Sequence, residues 1–191
     1  MRKIIALAAV ALAATSTPSL AQNVTGTLVI NGNVPSKCQV VSGTGVSQTF
    51  GMTVDLGDLS APDGTLRTGI SVTSTDYADL LARVVCTTAK ADVTLTATPL
   101  AIAGAPAAPT GYTNVIDYTA GVDITTVGGS TQRSTLASST TPVSVQVGRL
   151  ANNNGNGNVA LSATQFTTAP GAILEQGRYE GQVQVVIAPA P

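Results

Sequence analysis

The sequence predicts an all-β protein built as an antiparallel sandwich. Three observations lead to this fold class: short segments in which apolar and polar residues alternate, turns rich in Gly, Pro, Asn and Asp between them, and a composition that favours strands. Thr, Val, Gly and Ser are abundant, whereas Glu occurs only at Glu175 and Glu180. An alternation of period two places one face of each strand against a core, as in antiparallel sheets with one buried side.

The first 21 residues have the pattern of a secretory signal peptide. Arg2 and Lys3 form a short positive region, and the 11 apolar residues 4–14 are too few to span a bilayer. Small residues then precede a cleavage site after Ala21, so we expect a mature chain that begins at Gln22. The alternative is a membrane anchor, but no stop-transfer segment follows. We therefore expect an exported protein without a stable membrane anchor.

Eight segments show the strand alternation along the chain. In the first, residues 24–34, four apolar residues share one face, and Gly26 and Gly32 leave gaps in it. Pro35 cannot donate a hydrogen bond to a ladder, so it separates this segment from the next strand. The four apolar residues are Val24, Leu28, Ile30 and Val34. We predict the other strands at residues 37–41, 52–56, 70–73, 82–87, 92–98, 143–147 and 178–187.

The remaining segments are predicted to be connections. Residues 60–64, 103–111 and 152–158 are rich in Gly, Pro or Asn, which favour turns. Residues 76–85 could form a short helix from their Leu and Ala content, but we favour an irregular lead into the strand that carries Cys86. The chain ends in residues 188–191, which we interpret as a tail beyond the last strand.

Cys38 and Cys86 are the two cysteines of the chain. An oxidising compartment favours joining them, and the bridge would close a loop of about 49 residues. In the loop-entropy model, such a bridge stabilises the fold by about 4 kcal/mol. The alternative is a pair of buried free thiols.

The composition argues against an enzyme, a metal site and a nucleic-acid partner. The chain has no His, which removes the commonest general base and metal ligand. Only 10% of residues are charged, so no basic patch can hold phosphates. Lys37 and Lys90 are the lysines of the mature chain, and neither lies in a Ser-x-x-Lys motif. Asp55, Asp58 and Asp63 lie close together, but their spacing fits turns better than a calcium loop. We expect no cofactor.

Five short motifs occur in order along the chain. They are VTGTLVI at residues 24–30, CQV at 38–40, VDLGDL at 54–59, VVCT at 84–87 and GRYEGQVQV at 177–185. Together they resemble the archaic chaperone–usher pilins, also described as the spore coat protein U domain. The resemblance covers both ends of the mature chain and both cysteines, whereas residues 99–141 align with no motif. Gly181 stands where many members of the family have Asp.

The resemblance implies an incomplete immunoglobulin-like antiparallel β-sandwich that lacks its last strand and so exposes an apolar groove. A periplasmic chaperone fills the groove first, and the N-terminal extension of the next subunit then replaces it at an outer-membrane usher. The implied organisation is a signal peptide at residues 1–21, a donor-strand extension at 22–35 and a sandwich domain at 36–191. The donor side chains would be Val24, Leu28, Ile30 and Val34. The groove would be bordered by Tyr179, Val183, Val185 and Ile187 of the last strand.

The implied function is that of a structural subunit of a pilus or fimbria. The protein would pass through the periplasm and polymerise with neighbouring subunits at the cell surface, in cell adhesion or biofilm formation. Aromatic residues make up only 3% of the chain, which argues against a sugar-binding adhesive tip. The alternative is a self-contained secreted β-sandwich that binds a ligand, in which residues 24–34 pair within their own chain.

Overall fold

A computed structural model describes residues 26–42, 45–152 and 156–191. The chain divides into two compact units, Met1–Asn33 and Val34–Pro191. Of the first unit the structure describes residues 26–33, which lie in no strand. The predicted signal peptide, the start of the mature chain and Val24 lie outside the described residues.

Antiparallel strands dominate the second unit, as the sequence predicts. In the described residues one 3₁₀ turn, Ala78–Leu80, occurs before the third strand, where we predicted an irregular lead. All strand pairs are antiparallel except that of β6 with β11. The strands are β1 (Cys38–Ser42), β2 (Gly45–Ser47), β3 (Leu81–Ala82), β4 (Val84–Cys86), β5 (Lys90–Ile102), β6 (Tyr112–Thr113), β7 (Val115–Thr125), β8 (Thr131–Ala137), β9 (Val143–Gly148), β10 (Val159–Thr167), β11 (Ile173–Leu174) and β12 (Tyr179–Ala190).

Two sheets build the unit, with a short third sheet of β6 and β11. The larger has the order β12-β5-β7-β10-β3, with β8 also paired to β7 and β9 also paired to β5. The smaller has the order β2-β1-β4. Within the described part of the chain, β12 pairs with β5 alone. The last strand therefore has one unpaired edge.

Alternating side chains of the larger sheet form the core. On β5, Ala91, Val93, Leu95 and Ala97 are buried, and the Thr residues between them are not. This confirms the alternation predicted for residues 92–98, in a strand that continues to Ile102. The same pattern recurs on β7, where Ile116, Tyr118, Ala120, Val122 and Ile124 are buried and Gly121 is the one buried residue on the other face.

The predicted bridge between Cys38 and Cys86 is present. The two residues lie directly opposite each other in the register of β1 and β4, with their Cα atoms 4.1 Å apart. The bridge therefore joins neighbouring strands that are 48 residues apart in the chain.

The buried amide of Asn158 connects β4 to the larger sheet. Its side-chain oxygen accepts a hydrogen bond from the Val84 N–H, and its side-chain nitrogen donates to the Val84 carbonyl, both at 2.8 Å. The same nitrogen donates to the carbonyl of Ala151 at 2.6 Å. The side chain thus replaces a strand partner for Val84, which would otherwise bury two unpaired backbone groups.

The strand predicted at residues 52–56 is wrong. Gly51 and Gly57 adopt positive φ angles, and the Asp55 carboxylate accepts a hydrogen bond from the Gly57 N–H, so local turns replace a ladder. The prediction at 70–73 is reduced to a single bridge between Val72 and Ala163.

Two further strand boundaries differ from the prediction. The strand predicted at 82–87 is divided at Arg83 into β3 and β4. The tail predicted at 188–191 is also wrong, because Ala188, Pro189 and Ala190 pair with β5. A proline is tolerated there since β12 has a free edge toward which a residue without an N–H can face.

Candidate functional site

The residues predicted to border a groove lie together on β12. Val183, Val185 and Ile187 alternate with exposed residues and pack against the core, yet each is only half-buried. Tyr179 begins the same strand, and its hydroxyl lies within hydrogen-bonding distance of the Thr113 and Glu175 carbonyl oxygens, at 3.0 Å from each. Apolar side chains on the core side of a strand are normally covered. Their partial exposure indicates that the sandwich is open along this strand.

Three connected hollows follow the unpaired edge of β12. The first, of about 470 Å³, is lined by Cys38, Val40, Phe50, Val84, Leu161 and residues 182–187. The second, of about 480 Å³, includes Val54, Leu100, Tyr118, Phe166 and Val183. The third, of about 1080 Å³, includes Leu56, Asp58, Leu174, Glu175, Tyr179 and Gly181. Neighbouring hollows share lining residues such as Phe50, Val183 and Gly181, so they adjoin one another along β12, and we call the three together the β12 groove.

The wall opposite β12 is formed by β1 and by the irregular stretch of residues 48–60. This stretch contains the Val54 and Leu56 side chains that alternation predicted to be core-facing, and both are half-buried. Their apolar side chains thus face a hollow, although no strand forms there. The motif at residues 54–59 therefore lines the β12 groove.

Aromatic residues that no sequence pattern singled out line the second hollow. Phe50 and Phe166 are the two phenylalanines of the chain, and both line this hollow. The ring of Tyr118 stacks on Phe166 with centroids 5.3 Å apart. These three residues come from distant parts of the chain, so no local pattern could group them.

Tyr118 also joins the groove floor to β12. Its hydroxyl lies 2.8 Å from the Thr98 carbonyl and 2.9 Å from the Gln182 carbonyl, which belong to β5 and β12. Burial raises the pKa of Tyr118 to about 12, since the phenolate would lose its hydration. The hydroxyl therefore stays protonated and can donate at physiological pH.

Gly181 lies where the ladder between β12 and β5 is irregular. The register shifts between Glu180 and Gln182, and a Cβ atom at Gly181 would come within 2.9 Å of the Pro99 carbonyl oxygen. The neighbouring backbone of β5 leaves no room for a side chain. This explains why a glycine occupies this position.

The acidic residues of the groove region are engaged in local turns. The Asp58 carboxylate accepts hydrogen bonds from the N–H and hydroxyl of Ser60, which lower its pKa. Asp63 is held in the same way by Thr65, and its pKa is also lowered. Among the described residues, no group of three or more His, Cys, Asp or Glu side chains could hold a metal ion. The arrangement corresponds to the turn interpretation of these residues.

The predicted donor residues that the structure describes are strongly exposed. Leu28 and Ile30 each expose 83% of their surface, and Val34 exposes 75%. Val29, which lies between them on the other face of an extended segment, exposes 71% of its surface. Large aliphatic side chains lose about 1.5–3 kcal/mol each when they stay in water instead of an apolar environment. Four such residues within seven positions form an apolar segment that has no cover.

No helix in residues 26–42, 45–152 and 156–191 has the length and apolar character needed to cross a membrane. In the comparisons with known proteins, no family model, no curated protein and no solved structure matches this chain.

Proposed function

We propose that this protein is a structural subunit of a cell-surface pilus, in which each subunit is completed by a strand from its neighbour. The observation that carries the proposal is the β12 groove, a depression beside an unpaired strand edge in which apolar side chains such as Val40, Val183 and Val185 lie among polar ones such as Gln39 and Gln48. Such an edge and groove suit the addition of an extended segment, whose backbone would continue the ladder and whose alternate side chains would enter the hollows.

The occupant we propose is the N-terminal segment of a second copy of this chain, residues 22–34. Its described part carries apolar residues at alternate positions, Leu28 and Ile30, that are 83% exposed. The ten steps from residue 24 to 34 of an extended chain cover about 33 Å, and the eight steps from Tyr179 to Ile187 cover about 26 Å. The segment is therefore long enough to follow the whole groove.

Burial of the segment supplies the driving force. Leu28, Ile30 and Val34 would together contribute about 4–9 kcal/mol on transfer from water into the groove, before the entropy of ordering the segment is subtracted. The half-buried Val183, Val185 and Ile187 would lose their remaining exposure at the same time. Both subunits are stabilised, because each buries apolar surface that is exposed to water in the single chain.

The proposal includes the route of assembly. A subunit with an open apolar groove aggregates unless the groove is covered, so we propose a periplasmic chaperone as the first occupant and an outer-membrane usher as the place of exchange. The disulfide between Cys38 and Cys86 fits folding in an oxidising compartment. The sandwich would be of the incomplete immunoglobulin type, completed in the polymer.

The alternative is a self-contained secreted binding domain, which needs residues 24–34 as a strand of their own chain. Residues 26–34 lie in no strand, which favours the polymer.

The proposal is tested on a gel of cell-surface extract, run with and without boiling and probed for this protein. Interlocked subunits separate slowly, so we expect a ladder of multimers that collapses to a single band after boiling. A single monomer band in both lanes, from protein shown to be folded by its circular dichroism spectrum, would reject the polymer.

A further inference from the structure

The backbone of β12 points its hydrogen-bonding groups in two directions. The N–H of Gln182 donates to the hydroxyl of Thr98 on β5 at 3.0 Å, so Gln182 faces β5. In an antiparallel ladder, successive residues point their N–H and C=O groups alternately to the two sides. Val183, Val185 and Ile187 therefore direct their N–H and C=O groups toward the unpaired edge.

The run of free hydrogen-bonding groups along this edge ends at an identifiable feature on each side. At one end, the register with β5 shifts between Glu180 and Gln182, which interrupts the regular ladder. At the other end, Pro189 is the next residue of the same parity, and it has no N–H to offer. Pro189 is nevertheless exposed and within β12, opposite Ala91 of β5. Between these two features, three residues of β12 direct both an N–H and a C=O group toward the unpaired edge.

We propose that β12 holds an added strand through the backbone of Val183, Val185 and Ile187, and that Pro189 determines where this pairing stops. This inference rests on the proposed function and specifies its geometry. Residues directly opposite each other in a ladder project their side chains to the same face. Since the three β12 side chains face the core, the donor residues that exchange hydrogen bonds with them are also those that enter the groove.

For the proposed donor, these residues are Leu28 and Ile30 of a second copy. Thr27, Val29 and Asn31 have the other parity, so their N–H groups point away from β12. The wall on that side is formed by β1, which already pairs with β2 and β4, and by the irregular stretch of residues 48–60, which offers no regular ladder. A backbone modification should therefore have an effect that alternates along the donor.

The experiment uses synthetic peptides of residues 22–34 as inhibitors of polymerisation of the full mature chain. The unmodified peptide is compared with peptides that carry one N-methyl group on the backbone. Methylation at Leu28 or Ile30 removes a hydrogen bond to β12 and should raise the inhibitory concentration about tenfold or more. Methylation at Thr27 or Val29 should change it less than about threefold.

The outcomes separate the inference from the proposed function. If the unmodified peptide neither binds nor inhibits, the proposed function fails. If it inhibits but methylation at Thr27 and Val29 is as harmful as at Leu28 and Ile30, the function stands and the assigned pairing on β12 is overturned. The opposite alternation would overturn it as well.

A second measurement tests Pro189 itself. Pro189→Val adds an N–H to the open edge and lengthens it by one residue, so polymers should dissociate about fivefold more slowly in denaturant. Pro191→Val is the matched control, since Pro191 is exposed and follows β12, and it should leave the rate unchanged. Equal rates for the two variants would show that the ladder does not reach Pro189.

Discussion

Charged substitutions at Leu28 and Ile30 test the proposed donor function separately from the stability of the subunit. The structure exposes 83% of each side chain, so neither contributes to the core of its own subunit. Leu28→Asp or Ile30→Asp should therefore change the free energy of unfolding of a single subunit by less than about 0.5 kcal/mol. In the proposed polymer, the same change would place a carboxylate among the apolar side chains of the β12 groove.

The expected cost in the polymer follows from that difference. Loss of the aliphatic side chain removes about 2–3 kcal/mol of burial, and the carboxylate adds a desolvation penalty of at least similar size. Because 1.4 kcal/mol is a factor of ten, each variant should lower the equilibrium constant of subunit association by about three orders of magnitude. The assay is the ladder of multimers without boiling, together with thermal unfolding of the monomeric fraction.

Val29→Asp is the matched control. Val29 is also apolar and 71% exposed, but it has the opposite parity and should leave the ladder of multimers intact. The reasoning is refuted if Leu28→Asp unfolds the single subunit, which would place Leu28 in the subunit's own core. It is equally refuted if Leu28→Asp polymerises as well as Val29→Asp.

Four further substitutions or titrations test the fold and the groove. Asn158→Leu leaves two buried backbone groups of β4 unpaired, so chemical denaturation should show a loss of about 2–5 kcal/mol. Replacing Cys38 or Cys86 by Ala should cost about 4 kcal/mol, and an unchanged melting temperature would contradict a stabilising role of the bridge. Gly181→Ala forces a Cβ against β5 and should destabilise by about 1–3 kcal/mol, as measured by denaturant midpoint. The pKa of Tyr118 is raised in the folded state to about 12, above about 10 in the unfolded chain, so its stabilisation is complete below pH 10 and is lost as the pH rises to 12. Ultraviolet titration should show a tyrosine that ionises near pH 12 and is absent in Tyr118→Phe.

Alternation in the sequence identified two kinds of strand. One kind pairs with a neighbouring strand along both edges, and the other has polar side chains on the face that points away from the core. On β5, buried Val93 and Leu95 alternate with Thr94 and Thr96, and the period of two follows from the pleat. The same rule wrongly predicted a strand at residues 52–56. Alternation shows that one side of a segment is buried, but it does not show that the backbone is hydrogen-bonded to a neighbouring strand. There the apolar residues face a hollow while Gly51 and Gly57 prevent an extended ladder.

β7 shows what the sequence concealed. Its buried side chains alternate, but the other face carries Asp117, Asp123 and the buried Gly121, and these residue types are unfavourable in strands. The structure explains two of them: Asp123 pairs with Arg133 of β8 at 2.6 Å, and a Cβ at Gly121 would lie 2.5 Å from the Ser162 hydroxyl. Both reasons depend on neighbouring strands that are distant in the chain.

The groove itself could be predicted only in part. Its border on β12 follows from the alternation of Val183, Val185 and Ile187, since one face of that strand had to meet the core. Its aromatic floor could not be predicted, because Phe50 and Phe166 meet through the order of the strands in the sheet.

The most direct test of the central claim is a photo-crosslink from the donor segment. A benzophenone amino acid at position 30 replaces Ile30 in the full chain, polymers are irradiated, and the linked peptides are identified by mass spectrometry. The account predicts crosslinked dimers in which position 30 is joined to residues 182–187 or to Phe50 of another subunit. Crosslinks to those residues within a single chain, with no dimer, would show that the segment completes its own sandwich and would contradict the polymer.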